Sequence, residues 1–231
     1  MALDVERIQA ICFDLDGTLS DTDDAYVAAL SRWLLPLRIL FPRIRPERLA
    51  RMLVMGLETP GNLVLNWMDR LRLDGLYRKI QQRRQKGQPV DRSHFRMIPG
   101  ARELIEELHN RYPLAIASTR DGDSARAILQ HFQIIDRFQI IVTAETTRYT
   151  KPYPDPLLLV CEQLQIEPAS LLMVGDTSVD VQAGKAVGAQ TVGVLCGFGT
   201  ARELQRAGAD LVVPSPVDIP VVLSGKSAIT K

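Results

Sequence analysis

Two aspartates, Asp14 and Asp16, follow an apolar run from Ile8 to Phe13, and Gly17 and Thr18 come directly after them. Strand side chains alternate in direction, so residues two apart share a face and both carboxylates can look into one pocket at the strand's end. Gly17 then permits a turn that a residue with a Cβ would resist. An Asp-Gly pair after a strand is often no more than a turn. Two carboxylates held this close, however, repel unless a cation or a shared proton lies between them. Further polar residues close later apolar runs. Ser118 and Thr119 end one, Asp176 ends another, and Lys151 precedes Pro152 in the loop after a third.

Asp14 and Asp176 are hard oxygen ligands with no His or Cys beside them, which suits Mg2+. Asp180, one helical turn after Asp176, can join that shell or orient it. Mg2+ commonly keeps positions for substrate phosphate oxygens. Lys151 adds a fixed positive charge and Ser118 a hydroxyl donor, the parts that stabilise a phosphoryl group in transit. The expected chemistry has Asp14 attack phosphorus to give an aspartyl phosphate. Asp16 would protonate the leaving oxygen and later deprotonate water.

The elements that must position these residues alternate in type. From Ile98 onward, strands at 114–118, 138–143, 171–175, 191–195 and 211–213 are interleaved with helical patterns at 101–108, 121–132, 156–164 and 179–187. Near-continuous apolar strands between helices indicate an α/β fold with a parallel sheet covered on both faces. Ligands in such sheets sit at the carboxyl ends of the strands, where the polar residues gather. Between Leu19 and Arg96 the periodicity is helical throughout, giving a module of three or four elements after the first strand. Its basic residues, from Arg70 to Arg96, read as a solvated helix face because the whole chain is nearly neutral.

The 231 residues are 46% hydrophobic and 24% charged, as in an ordinary globular protein, and the net charge of +1 provides no pull toward nucleic acid or acidic membranes. Cys12, Cys161 and Cys196 show neither pairing nor metal-ligand spacing, and Cys12 and Cys196 read as buried thiols. No signal-peptide core or membrane-length apolar stretch is evident, so a soluble, cytoplasmic protein is expected, acting on a small phosphorylated metabolite as a monomer or homodimer.

Taken in order, Asp14-Leu-Asp16-Gly17-Thr18-Leu19, Ser118, Lys151-Pro152 and Gly175-Asp176-Thr177-Ser178-Val179-Asp180 resemble the four motifs of the haloacid dehalogenase-like hydrolases. The resemblance implies a Rossmann-like three-layer core at 1–19 and 98–231, with an α-helical cap at 20–97 inserted after the first strand. It implies Mg2+ held by the Asp14 and Asp176 carboxylates and the Asp16 backbone carbonyl, with Asp180 counted in the metal set. Ser118 and Lys151, with Thr119 beside them, would hold the phosphate. Dehalogenases of this family lack a carboxylate at the Asp16 position, so Asp16 favours phosphate chemistry. The chain looks most similar to the phosphoglycolate phosphatase group. A phosphomutase similar to β-phosphoglucomutase would share all four motifs. From a different class, a non-enzymatic phospho-switch resembling a receiver domain, or an interaction module, is disfavoured by the long insert and the full catalytic set. Arg120 is read as either reaching the phosphate or cap, or lying exposed at a helix start. Asp21 reads as a helix cap and Tyr26, Trp33 and Trp67 as cap core; His94, His109 and His131 sit on no motif.

Overall fold

The computed structural model describes residues 3–21 and 95–224, all of which fall within one compact unit. The readings placed on 22–94, including Tyr26, Trp33, Trp67, His94 and the helices of the insert, lie outside the described residues.

Six strands form one sheet: β1 (Ala10–Phe13), β2 (Leu114–Ala117), β3 (Ile140–Val142), β4 (Leu171–Gly175), β5 (Gln190–Val194) and β6 (Leu211–Val213). Every pairing is parallel, and the order is β3-β2-β1-β4-β5-β6. Among the described residues six α-helices accompany them: α1 (Ala101–His109), α2 (Gly122–His131), α3 (Asp155–Leu164), α4 (Ser178–Val187), α5 (Ala201–Ala207) and α6 (Ile219–Leu223).

Alternation along the strands builds two cores. Ile11 and Phe13 of β1, Leu114 and Ile116 of β2, and Leu172 and Val174 of β4 face one side, where they meet Ile105 and Leu108 of α1, Ile128 and Leu129 of α2, and Ile219 of α6. Ala10, Cys12, Ala115, Ala117, Leu171 and Met173 face the other side and pack with Leu157, Val160 and Cys161 of α3 and Ala183 of α4. Each central strand is therefore apolar on both faces, which is why it reads as a continuous run rather than an alternating one. The result is the expected three-layer α/β core.

In register, Cys12 of β1 lies between Ala115 of β2 and Met173 of β4. The chain leaves β1 toward β2 and β3, then returns through α3, which packs against β3, β2 and β1 before β4 begins. The sheet order thus reverses at β1, the position where open α/β sheets open a crevice at their carboxyl edge. Gly17, at φ 76°, turns the chain immediately beyond that edge. Leu19 to Asp21 then run beside Arg96 to Ile98, with Asp21 N donating to Arg96 O at 2.7 Å and Ile98 N to Leu19 O at 3.0 Å. The two ends of the inserted segment are bound to each other.

Three details depart from the sequence reading. Helices α5 and α6 are not announced by apolar periodicity; α5 has a single buried residue, Leu204, and α6 is only one short turn beyond a 3-10 segment. Strand β3 covers only Ile140–Val142, because Phe138 closes a 3-10 turn and its backbone N–H is spent on Ile135 O. Cys196 is half-buried rather than buried: it lies past the end of β5, where its thiol donates to Gly17 O at 3.1 Å.

Candidate active site

Asp14 follows β1 directly, and its backbone N–H donates to Val174 O of β4 at 2.9 Å, which seats it at the sheet's carboxyl edge. Asp176 follows β4 and is fully buried. Its Oδ2 accepts the Phe198 N–H at 2.7 Å, so the loop after β5 orients this carboxylate. That approach demands glycine at 197: a Cβ there would collide with Asp176 Oδ2 and come within 2.6 Å of Gly17 O. Sequence reading passed over this Cys196-Gly197-Phe198-Gly199 loop, whose pair of glycines after an apolar strand was the available signal.

Lys151 brings the first and last motifs together. Its Nζ donates to Asp14 Oδ1 at 2.6 Å and to Asp180 Oδ1 at 2.5 Å, and all three residues are buried. The Lys151–Pro152 peptide is cis. Asp180 is also part of the start of α4. Its Oδ2 accepts from Thr177 N at 3.0 Å and Thr177 Oγ1 at 2.7 Å, a capping box at the helix N-terminus. Both Asp180 oxygens are therefore engaged, and its geometry is that of a residue orienting Lys151.

The electrostatics follow from burial. Burial raises Asp14 well above the usual carboxylate range; Lys151 pulls it down, while Asp180 and Asp16 push it further up. Burial alone would depress Lys151, but Asp14 and Asp180 more than reverse this and hold it above the ordinary lysine value. One ammonium, that of Lys151, is thus shared by two carboxylates, with Asp176 beside them. Carboxylate oxygens of Asp14, Asp176 and Asp180 lie within 4.8 Å of one another, all buried. An all-oxygen carboxylate set of this kind fits a hard divalent cation such as Mg2+.

Ser118 follows β2 and is buried, with its N–H on Val142 O at 3.0 Å. Its hydroxyl accepts the Arg120 N–H at 3.1 Å, which leaves the hydroxyl hydrogen to be donated elsewhere. Thr119 is half-buried beside it. Of the two readings of Arg120, the exposed one does not hold. Its Nε and Nη2 grip Asp16 Oδ2 and Oδ1 at 2.8 and 2.6 Å.

A buried carboxylate trio with a lysine bonded to two of its members, on a parallel sheet with a reversal at β1, is an arrangement with known relatives. The family model for haloacid dehalogenase-like hydrolases matches residues 11–194. The chain belongs to that family. As a haloacid dehalogenase-like hydrolase it is 27% identical to the phosphoglycolate phosphatase of Escherichia coli (strain K12), covering 93% of this chain and 92% of that one. It is 28% identical to the N-acetylmuramic acid 6-phosphate phosphatase of Pseudomonas putida, over 94% of this chain and 96% of that one. The structure of a candidate β-phosphoglucomutase from Thermotoga maritima superposes with a TM-score of 0.65 at 27% identity, over 94% and 99% of the two chains. Within the haloacid dehalogenase-like hydrolases this chain groups with the phosphoglycolate phosphatase-like members, and its class is phosphoric monoester hydrolase.

His131, on no motif, is exposed and packs its ring edge-on against Phe95 and Phe132 with centroids 5.8 Å away in each case. No described helix is long and apolar enough to cross a membrane.

Proposed function

We propose that the protein is a Mg2+-dependent phosphatase that hydrolyses a small phosphomonoester through an aspartyl phosphate on Asp14. The observation that carries this reading is the buried Lys151 ammonium shared between Asp14 and Asp180, beside Asp176. Asp14 attacks phosphorus, and the bond from phosphorus to the ester oxygen breaks. Asp16 gives that oxygen its proton, then takes one from the water that cleaves the acyl phosphate, so the enzyme returns to its starting state. Ser118, Thr119 and Lys151 hold the phosphoryl oxygens, and the Ser118 hydroxyl hydrogen is directed to one of them. Asp14, Asp176 and the Asp16 carbonyl would hold Mg2+, with Asp180 supporting the set through Lys151. The metal, when bound, would neutralise charge between nucleophile and phosphate. Residues 20–97 are proposed as the cap that selects the leaving group.

The relatives' named activities support a phosphorylated two-carbon acid or an amino-sugar 6-phosphate as starting points. A phosphate-release screen with Mg2+ over phosphoglycolate, sugar phosphates, nucleotides and pyrophosphate tests the reading. Turnover of one or a few monoesters is expected, and no phosphate release from any of them would sink it. The likeness to the Thermotoga maritima protein favours, as a second reading, a phosphomutase. Interconversion of sugar phosphate isomers without net phosphate release would select it.

A further inference from the structure

To move protons as proposed, the Asp16 carboxyl group must be aimed at the leaving oxygen. Its backbone is fixed: Asp16 bridges to Ser20, and Gly17 N donates to Ser20 O at 2.8 Å. What remains is rotation about the side chain, and a short carboxylate at a turn can point to several directions. Arg120 restricts that rotation. Its Nε and Nη2 hold Asp16 Oδ2 and Oδ1 at 2.8 and 2.6 Å, a side-on fork along one edge of the carboxylate. Such bidentate pairing fixes the plane of both groups, which a lysine at the same place would not do. The pair is largely shielded, with side-chain exposures of 18% for Arg120 and 23% for Asp16. Arg120 is itself anchored, because its backbone N–H donates to Ser118 Oγ at 3.1 Å. The residue that would bind phosphate and the residue that would move protons are thus tied to one turn after β2.

We propose that Arg120 is the positioning residue for Asp16, fixing the plane of the carboxyl group so that the oxygen position turned away from the guanidinium, once protonated, faces the leaving oxygen. The inference rests on the acid–base role given to Asp16 above. It assigns Arg120 to the leaving-group side of the reaction and not to the phosphoryl oxygens.

Leaving-group chemistry separates these roles. An aryl phosphate such as 4-nitrophenyl phosphate expels a stable anion and needs little protonation, whereas an alkyl phosphate needs it. Steady-state kinetics of the full-length enzyme with Mg2+ would compare kcat/KM, which reports phosphoryl transfer to Asp14, on both esters. Arg120→Met is expected to lower kcat/KM for the alkyl ester about 10- to 100-fold, with a change of no more than about 3-fold for 4-nitrophenyl phosphate. Inhibition by inorganic phosphate should stay within about 2-fold of the parent, since that ligand has no leaving group. Arg120→Lys should recover only part of the alkyl loss, having a point charge without the fork.

Equal losses on both esters, or weakened phosphate inhibition, would show Arg120 serving the phosphoryl group or the fold and would overturn the inference. Unchanged kinetics on both would overturn it too. Asp16→Asn separates this failure from that of the underlying reading. A leaving-group-dependent loss in Asp16→Asn without one in Arg120→Met removes only the positioning role. No such dependence in Asp16→Asn removes the acid–base assignment, and this inference with it.

Discussion

Lys151 divides one ammonium between Asp14 and Asp180, and that sharing bears on what a substitution at Asp14 does. Asn at position 14 keeps the shape and an amide oxygen for the lysine, but it cannot form an acyl phosphate. Turnover of Asp14→Asn should fall by at least about 10^3-fold while its circular dichroism spectrum matches the parent. Substantial residual turnover would rule out the aspartyl phosphate. Asp14, Lys151 and Asp176 could be singled out in the sequence because residue type and strand-end position suffice to bring them together. Arg120 could not be resolved the same way. Its direction depends on the turn after Ser118, and an arginine leaving such a turn can run along the surface or fold back onto Asp16. Asp180 was legible as a neighbour of Asp176, but its double engagement with Thr177 and Lys151 needed coordinates.

Among the elements, β5 and β6 depend on a polar tie as well as on apolar packing. Asp210, just before β6, accepts from Thr191 N at 2.8 Å and Thr191 Oγ1 at 3.2 Å, and also from Lys185 Nζ of α4. Burial pushes the Asp210 carboxyl up, but Lys185 and Thr191 more than reverse this and hold it below the usual range. A depressed folded-state value contributes stability that is present above the unfolded carboxylate value, about pH 3.9, and lost as pH falls through the folded value. Thermal unfolding of Asp210→Asn should show a loss of about 1–3 kcal/mol at neutral pH that shrinks toward pH 3. A pH-independent difference would contradict the linkage. The strands and the long helices were readable because their apolar faces are wide. Helices α5 and α6 escaped because α5 buries one side chain and α6 spans five residues, too short for a period to register.

For the molecule as a whole, a buried trio of carboxylates around one lysine is expected to make the folded state sensitive to cations. A cation that binds the folded chain alone stabilises it in proportion to the logarithm of its concentration over Kd, about 2.7 kcal/mol at a hundredfold excess. Chelator treatment should lower Tm and abolish phosphate release, and added Mg2+ should restore both; calorimetry with and without Mg2+ would check this. If Tm ignored Mg2+ at millimolar excess, the cluster would not be a cation site. The class of fold was open to sequence reading, since doubly buried strands alternate with helices. The strand order was not, because no local pattern says that β1 lies between β2 and β4.

Strand β1 is followed almost at once by a point where the chain departs and later rejoins its own path, with Asp21 bonded to Arg96 and Ile98 to Leu19. Segment ends joined in this way form a socket. Whatever lies between them can be lengthened, shortened or exchanged without moving Asp14, because the sheet sees the same closed junction. If the insert selects the leaving group as proposed, new substrates become reachable by exchanging that segment at one address while the residues at the sheet edge stay in place. Grafting a relative's insert between Asp21 and Arg96 would test this, with substrate preference expected to follow the insert.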